Sequence, residues 1–301
     1  MKNVLITGAT GFVGSNLARQ MSANGCNVSI IVRNTSKREN IADIENLNVF
    51  EYNRNIEFLA DFIEKSQIDV VYHLASLFVA EHNSLQVKDL IESNISFGTE
   101  LLEAMKIAGI KNIVNTGTSW QHYEDKSYNP VCLYAAMKEA FSKILDYYVM
   151  AAGFNAITLK LFDSYGENDR RDKLINMLSD FSEFKKNISM SPGKQMLNLL
   201  HVEDIVKGFY VAGKMLMEKE YKNESFAVAA KENYSLKEVL DLFQQLSGQK
   251  LNVTWGARPY RRREVMRPWS KYKTLPGWTA KISLKEGLER IIDRHQSKEN
   301  K

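Results

Sequence analysis

The chain is short of the residues that mark several whole classes of protein. Among its 301 residues only two are cysteine, Cys26 and Cys132, far apart and outside any CxxC pattern. Neither a disulfide scaffold nor a cysteine zinc site is therefore expected, no other metal site is read, and a reducing cytoplasm is the default compartment. Five prolines and 16 glycines exclude collagen-like and proline-rich architectures. No apolar run approaches the roughly 18 residues that a bilayer-spanning helix needs, so no membrane association is expected. The opening Met1-Lys2-Asn3-Val4-Leu5-Ile6 is too short in its apolar part to read as a secretory signal. Low-complexity tracts and internal repeats are missing. Nor is there an excess of one charge: 40 basic and 36 acidic side chains give a net charge of +4, which argues against nucleic acid as a partner.

What remains is an ordinary globular composition, 44% hydrophobic and 25% charged, long enough for one large domain or two smaller ones. Up to about residue 165, short apolar runs alternate with helical periodicity. Strands are expected at Val4–Thr7, Asn27–Val32, Leu47–Tyr52, Asp69–Leu74, Asn112–Asn115 and Ala156–Phe162. Helices fall between them, among them one long helix around Ile91–Ile107 and another over Tyr134–Met150. Repeated β-then-α order predicts an α/β fold, a doubly wound parallel sheet with helices on both faces. The alternation then loosens. His201–Met217 reads as a helix returning to the first unit, while Ser225–Ala229 and the helices Leu236–Leu246 and Leu284–Ile292 are expected in a smaller mixed lobe. The expected division is 1–165, with 201–218 returning to it, and 166–301 as mainly a substrate-binding lobe.

Between the first strand and first helix lies Thr7-Gly8-Ala9-Thr10-Gly11-Phe12-Val13-Gly14. In that context spaced glycines point to a Rossmann-type dinucleotide site. Gly8 permits the tight turn, Gly11 lets backbone approach a pyrophosphate, Gly14 allows close helix–strand packing, and the helix N-terminus favours the phosphate charge. The plain alternative is a tight turn with no ligand. About twenty residues on, where Asp or Glu would bind a ribose 2′-hydroxyl, stands Val32-Arg33-Asn34, with Lys37 and Arg38 close behind. A guanidinium without an acid beside it suits a 2′-phosphate, so NADPH is expected over NADH; the alternative is a surface arginine.

Tyr134-Ala135-Ala136-Met137-Lys138 sets a phenol and an ammonium on one helix face, about 5–6 Å apart at Cβ. Upstream, Ile113-Val114-Asn115-Thr116-Gly117-Thr118 offers hydroxyls at the carboxyl end of a strand, where open parallel sheets bind ligands. A basic segment runs from Arg258 to Lys273 with a single acid, Glu264; it reads either as a solvated loop or as a site for phosphate.

Together these motifs resemble the extended short-chain dehydrogenase/reductase family acting on nucleotide sugars. The likeness also rests on His73-Leu74-Ala75-Ser76, Asn94 before Gly98-Thr99-Glu100, Leu161-Phe162-Asp163-Ser164-Tyr165-Gly166, Leu200-His201-Val202-Glu203-Asp204 and Leu275-Pro276-Gly277-Trp278. It covers essentially the whole chain. The resemblance implies that Tyr134 is the acid/base, that Lys138 lowers its pKa and holds the nicotinamide ribose, and that Thr118 orients the carbonyl, with Thr116 and Ser119 as alternatives to Thr118. It further implies cofactor contacts at Thr10, Phe12, Val13, Asn34, Lys37, Leu74, Ala75, Ser76, Asn94, Thr116 and Leu161, beside Gly8, Gly11, Gly14 and Arg33. A homodimer through 90–108 and 134–150 is implied as well.

Within the family, dehydratases carry an Asp-Glu pair after the catalytic Thr, where this chain has Ser119 and Trp120; that disfavours dehydration. Leu133-Tyr134 to Lys138, Ile91-Glu92-Ser93-Asn94-Ile95 and Arg261-Arg262-Arg263-Glu264-Val265-Met266 are similar to CDP-3,6-dideoxyhexose synthases of the paratose and abequose type. Those reduce a C4 ketone of a nucleotide-diphosphate sugar with NADPH, for lipopolysaccharide O-antigen. Two departures from that pattern are Asp163, where Asn is usual, and Leu197-Asn198-Leu199, where Arg-Asp-Phe is usual. Expected substrate contacts are Arg261 and Arg258 to the diphosphate, Asn198 to the nucleotide, and Trp120, His122 and Asp163 around the sugar. His73 and His201 are read as structural. A 4-epimerase is the alternative activity, and a non-catalytic dinucleotide sensor the alternative of another class.

Overall fold

The computed structural model describes residues 1–179 and 187–299. Seven strands form its main sheet: β1 (Asn3–Thr7), β2 (Asn27–Val32), β3 (Asn48–Glu51), β4 (Val70–His73), β5 (Asn112–Thr118), β6 (Asn155–Leu161) and β11 (Lys222–Val228). Their spatial order is β11-β6-β5-β4-β1-β2-β3 and every adjacent pair is parallel. This is the doubly wound Rossmann-type sheet. Its order reverses between β1 and β4, and the carboxyl ends at that point open the crevice in which such sheets bind ligands.

The central strands explain why the sheet is covered on both faces. In β1 and β4 Val4, Leu5, Ile6, Val70, Val71 and Tyr72 have no exposed surface, so side chains of both parities need cover. One face is closed by α1 (Phe12–Ala23) and α7 (Val202–Glu218) through Leu17, Met21, Ile205 and Phe209. The other is closed by α2 (Ile56–Lys65), α4 (Phe97–Ile107) and α5 (Leu133–Ala152) through Leu59, Ile63, Leu101, Met105, Phe141 and Leu145.

Three differences from the sequence expectation matter for the site. β5 runs three residues beyond Asn115, so Thr118 ends the strand. The long helix is interrupted: α3 (Val87–Ile91) passes through a π-helical turn, Glu92–Ser96, before α4. Asn94 in that turn donates from Nδ2 to the carbonyls of Leu90 (2.9 Å) and Leu77 (3.0 Å), while Leu77 N donates back to its Oδ1 (3.3 Å). A side chain that bonds inside the helical ladder is a recognised cause of such a bulge. Finally, the 225–229 segment expected in the smaller lobe belongs to β11 at the edge of the main sheet, paired with β6. The crossover helix α7 returns over the sheet and delivers it there.

The chain leaves the main sheet directly after β6. β7 (Asp163–Tyr165) pairs with β10 (Leu199–His201), β8 (Ile188–Met190) with β13 (Val253–Trp255), and β9 (Met196–Leu197) with β12 (Tyr234–Ser235). With α6 (Leu174–Ser179), α8 (Leu236–Ser247) and α9 (Leu284–Glu299) they enclose a core of Tyr165, Leu178, Val239, Phe243 and Leu288. The final segment is tied back to α7: Trp278 Nε1 donates to Asp204 O (2.9 Å), and Asp204 Oδ2 accepts from Lys281 N and Ile282 N, both at 2.8 Å.

Candidate active site

A cleft of about 1280 Å³ runs across the carboxyl ends of β1, β2, β4, β5 and β6 to the start of β7 and α6. At its floor the glycine loop meets the strand ends under tight steric constraint. Gly8 has φ +71, and a Cβ on it would lie 2.7 Å from Ala75 N; a Cβ on Gly14 would lie 2.1 Å from the Gly8 carbonyl oxygen. Gly11 caps α1 without a side-chain bond, and no acid occupies the helix's first turn. The helix thus presents free N–H groups and its positive dipole end to the cleft, the donor set a pyrophosphate requires. Gly8, Thr10, Gly11, Phe12, Val13 and Gly14 all line it.

At one end, Arg33 and Asn34 stand on the cleft wall beside Tyr52 and Arg54. Arg54 is paired with Glu92 at 2.5 Å, and Tyr52 donates to Glu100 at 2.8 Å. Arg33, exposed, is held by its backbone in a turn with Ser36. These residues fit the adenosine half of a nicotinamide dinucleotide, with Arg33 as the cation at the lip. Lys37 lies outside the lining residues; Arg38 is occupied by Glu51 at 3.1 Å.

In the middle, Leu74, Ala75, Ser76, Thr116, Thr118, Tyr134 and Leu161 converge. Thr116 Oγ1 donates to His73 O (2.8 Å), which commits its proton. Thr118 differs. Its Oγ1 accepts from Trp120 N (3.3 Å) in a capping box over the 3₁₀ turn Ser119–Gln121, so the oxygen is fixed and the hydroxyl proton remains available. Ser119 follows it on the cleft wall. Asn94 lies behind the wall, and its bonds to Leu77 steady the loop that carries Ser76.

Tyr134 is 8% exposed and Lys138 2%. Burial pushes the Tyr134 phenol well above its ordinary pKa, Cys132 adds to this, and a side-chain hydrogen bond with Ser76 opposes it. Burial also lowers Lys138 to about 8. Within the protein alone, burial outweighs any lowering of Tyr134 by Lys138. Tyr134 is a neutral acid at neutral pH. His73, bonded to Thr7 Oγ1 at 2.9 Å, is kept neutral down to about pH 3 by burial and by Lys138.

The other end combines aromatic rings with cations. Phe78 packs edge-on against Tyr134 (5.1 Å between centroids) and tilted against Trp120 (5.4 Å). Lys173 Nζ lies 4.4 Å from the Phe78 centroid and the Arg261 guanidinium 5.2 Å from that of Trp120. Glu264 grips Arg261 in two bonds of 2.8 and 3.0 Å, and Asp169 grips Arg171 in two of 2.6 and 2.7 Å. Asp163 also lines this end; burial raises its pKa against the pull of Lys173, Arg261 and Arg171. Lys173 and Arg171 are not among the residues the sequence singles out, since they fall where the strand–helix alternation loosens. They reach the cleft because the segment leading into α6 forms part of its wall.

Three expected substrate contacts lie outside the lining residues. His122 Nε2 meets Lys160 Nζ at 2.6 Å, and its ring stacks on Trp269 at 4.0 Å. Asn198 donates to Ala230 O (3.0 Å) and Asn233 Oδ1 (2.8 Å) and accepts from Ala230 N (2.8 Å), which uses its amide within the fold. Arg258 is exposed, joined by its backbone to Met190. Of the basic segment only Arg261 reaches the cleft. His201 joins Glu167 at 3.0 Å and caps α7, a structural arrangement.

A family model described as the NAD dependent epimerase/dehydratase family matches residues 4–229. The CDP-abequose synthase of Yersinia pseudotuberculosis is 28% identical over 298 residues, 97% of this chain and 99% of that one. The CDP-abequose synthase of Salmonella muenchen is 25% identical over 296 residues, 97% of each chain. Among solved structures, the UDP-glucose 4-epimerase of Thermotoga maritima with UDP-glucose matches at a TM-score of 0.85 and 20% identity, covering 99% of this chain and 100% of that one. The UDP-glucuronic acid 4-epimerase of Bacillus cereus, with UDP-glucuronic acid and NAD, matches at 0.83 and 23% identity, covering 98% and 99%. At these identities the structural likeness speaks to the fold.

Proposed function

Because the chain belongs to the NAD dependent epimerase/dehydratase family, we propose that it is an NADPH-dependent 4-ketoreductase. Its substrate on this reading is a nucleotide-linked 4-keto-deoxyhexose of the CDP-4-keto-3,6-dideoxyhexose type. One observation carries the reading: Thr118 and Tyr134 share a cleft wall, and the two positions after Thr118 hold Ser119 and Trp120. Eliminating water needs an acid and a base beside the reacting carbons. Ser119 and Trp120 supply neither, whereas ketone reduction asks only for a proton donor and an orienting hydroxyl. Full-length likeness to CDP-abequose synthases supports the deoxysugar class.

NADPH, when bound, supplies a hydride to the C4 carbonyl carbon. The protein's part is to bind, orient and protonate. Tyr134, kept in its neutral form by burial, gives its proton to the carbonyl oxygen, so that ketone, hydride and proton become the alcohol; Thr118 donates a hydrogen bond to the same oxygen. Positioned acid catalysis of this kind is worth on the order of 10²–10⁴ in rate. Lys138, buried behind Tyr134 and outside the lining residues, would have to reach past it to hold the nicotinamide ribose, while the α1 N-terminus would hold the pyrophosphate and Arg33 the 2′-phosphate. Lys173 and Arg261 would face the sugar-nucleotide diphosphate, with Arg171 behind them and Phe78 and Trp120 against the sugar. A homodimer through α4 and α5 belongs to the same proposal: α5 exposes Tyr147 (61%) and Met150 (80%), and α4 exposes Ile107 (48%).

The test is oxidation of NADPH in the presence of CDP-, GDP- and dTDP-linked 4-keto sugars. Steady consumption with one of them is expected; consumption with none overturns the reading. The second reading is a 4-epimerase, the activity named for the matched NAD-bound structure from Bacillus cereus. Stoichiometric NAD in the purified protein, with no net NADPH oxidation, would support it. Cofactor binding without turnover of any sugar would instead support a sensor.

A further inference from the structure

Gln121 is 1% exposed and lies outside the cleft, yet its amide joins the two elements that carry the chemistry. Its Oε1 accepts from Thr118 N at 2.9 Å, and its Nε2 donates to Glu139 Oε2 at 2.5 Å. Thr118 ends β5. Glu139 follows Lys138 on α5 and lies just over one turn beyond Tyr134. One side chain therefore spans the gap between the strand end bearing Thr118 and the helix bearing Tyr134 and Lys138.

The surroundings are shaped around this strut. A Cβ at residue 117 would come within 2.9 Å of Gln121 Oε1 and 3.1 Å of Lys160 Cγ, so Gly117 makes the room. The next residue, His122, is anchored by Lys160 on β6 at 2.6 Å and by Lys126 O at 3.1 Å. Glu139 keeps 21% of its side chain in solvent, with Lys143 Nζ at 3.8 Å. A buried amide bonded to a carboxylate is among the stronger hydrogen bonds available, and it is directional.

We propose that Gln121 and Glu139 are positioning residues. They set the separation between the Thr118 hydroxyl and the Tyr134 phenol so that both reach one carbonyl oxygen. The proposal rests on the ketoreductase reading for that oxygen, and on nothing else in it. Neither residue touches the cleft, so their loss should spare binding and strike the rate.

The test uses Gln121→Leu, Glu139→Leu, Glu139→Gln and the Gln121→Leu/Glu139→Leu double variant, assayed with whichever keto sugar the wild type reduces. A misplacement near 1 Å costs about 10²-fold, so each leucine variant should lose about 30- to 100-fold in kcat, with KM for NADPH within about threefold. Because the two residues act as one unit, the double variant should be no slower than either single one. Glu139→Gln keeps an acceptor oxygen and should stay within about threefold of wild type. Independently of activity, a crystal structure of Glu139→Leu should show the Thr118 Oγ1 to Tyr134 Oη separation changed by about 1 Å.

The proposal is overturned by an unchanged separation, by a Glu139→Leu kcat within threefold of wild type, by a loss confined to KM, or by Glu139→Gln losing as much as Glu139→Leu. Should Gln121→Leu fail to fold, Glu139→Leu decides, since its side chain is partly in solvent. A wild type that reduces no keto sugar sinks the ketoreductase reading, and the crystallographic separation then decides the strut.

Discussion

The Lys138 ammonium lies over the face of the Tyr134 ring, 5.9 Å from its centroid, one turn further along α5. Both groups are buried, and burial drives each toward its neutral form. The phenol is thus held with its proton on, as the proposed reduction requires of its acid.

Removing that hydroxyl isolates its role. Tyr134→Phe keeps the ring against Phe78 and should lower kcat by about 10²–10⁴-fold, while the dinucleotide Kd stays within about threefold. Near-normal turnover would remove Tyr134 from the proton transfer.

Lys138 also makes a statement about stability. The unfolded chain holds the lysine proton up to about 10.5, whereas the native protein releases it near 8. Between those values the unfolded state binds more protons, so stability rises with pH across that window. Below pH 8 the whole cost is present, on the order of 3 kcal/mol. Lys138→Met should therefore be more stable than wild type at pH 7, with the gap closing toward pH 10.5. Urea denaturation of both proteins at several pH values checks this; a gap independent of pH would contradict it.

The proposed preference for NADPH rests on Arg33, which lines the cleft at its lip. Arg33→Asp replaces the cation at the lip of the cleft with a charge that repels a 2′-phosphate. A lost charge-assisted bond of about 1.5–3 kcal/mol corresponds to about 10- to 100-fold. NADPH affinity should fall by that factor and NADH affinity should change little. Titration with both cofactors measures the ratio, and an unchanged ratio would reject the assignment.

Lys173, set over Phe78 and, among the described residues, without a bidentate acid of the kind that grips Arg171 and Arg261, should contribute most to an anionic substrate. Lys173→Met should raise the sugar-nucleotide KM by about 10-fold or more and leave the NADPH KM nearly unchanged. Equal effects on both would place Lys173 with the cofactor instead.

The parts legible in the sequence share one property: their geometry is settled within a few residues. Gly8 to Gly14 lie in one turn between β1 and α1, and Tyr134 and Lys138 lie one turn apart on α5. Short continuous apolar runs and the 3.6-residue helical period were enough to order the first six strands and the helices between them. Contacts made across long stretches of chain were not legible. Asn198 is drawn from the cleft by Ala230, His122 by Lys160, and β11 is carried to the sheet edge by α7. Lys173 reaches Phe78 across 95 positions, and Gln121 reaches Glu139 across 18. Helical and strand periodicity record which face of an element is buried, but not which polar partner waits there. That partner is selected when the elements pack, because a buried amide, ammonium or carboxylate must be satisfied by whatever lies within about 3 Å of it.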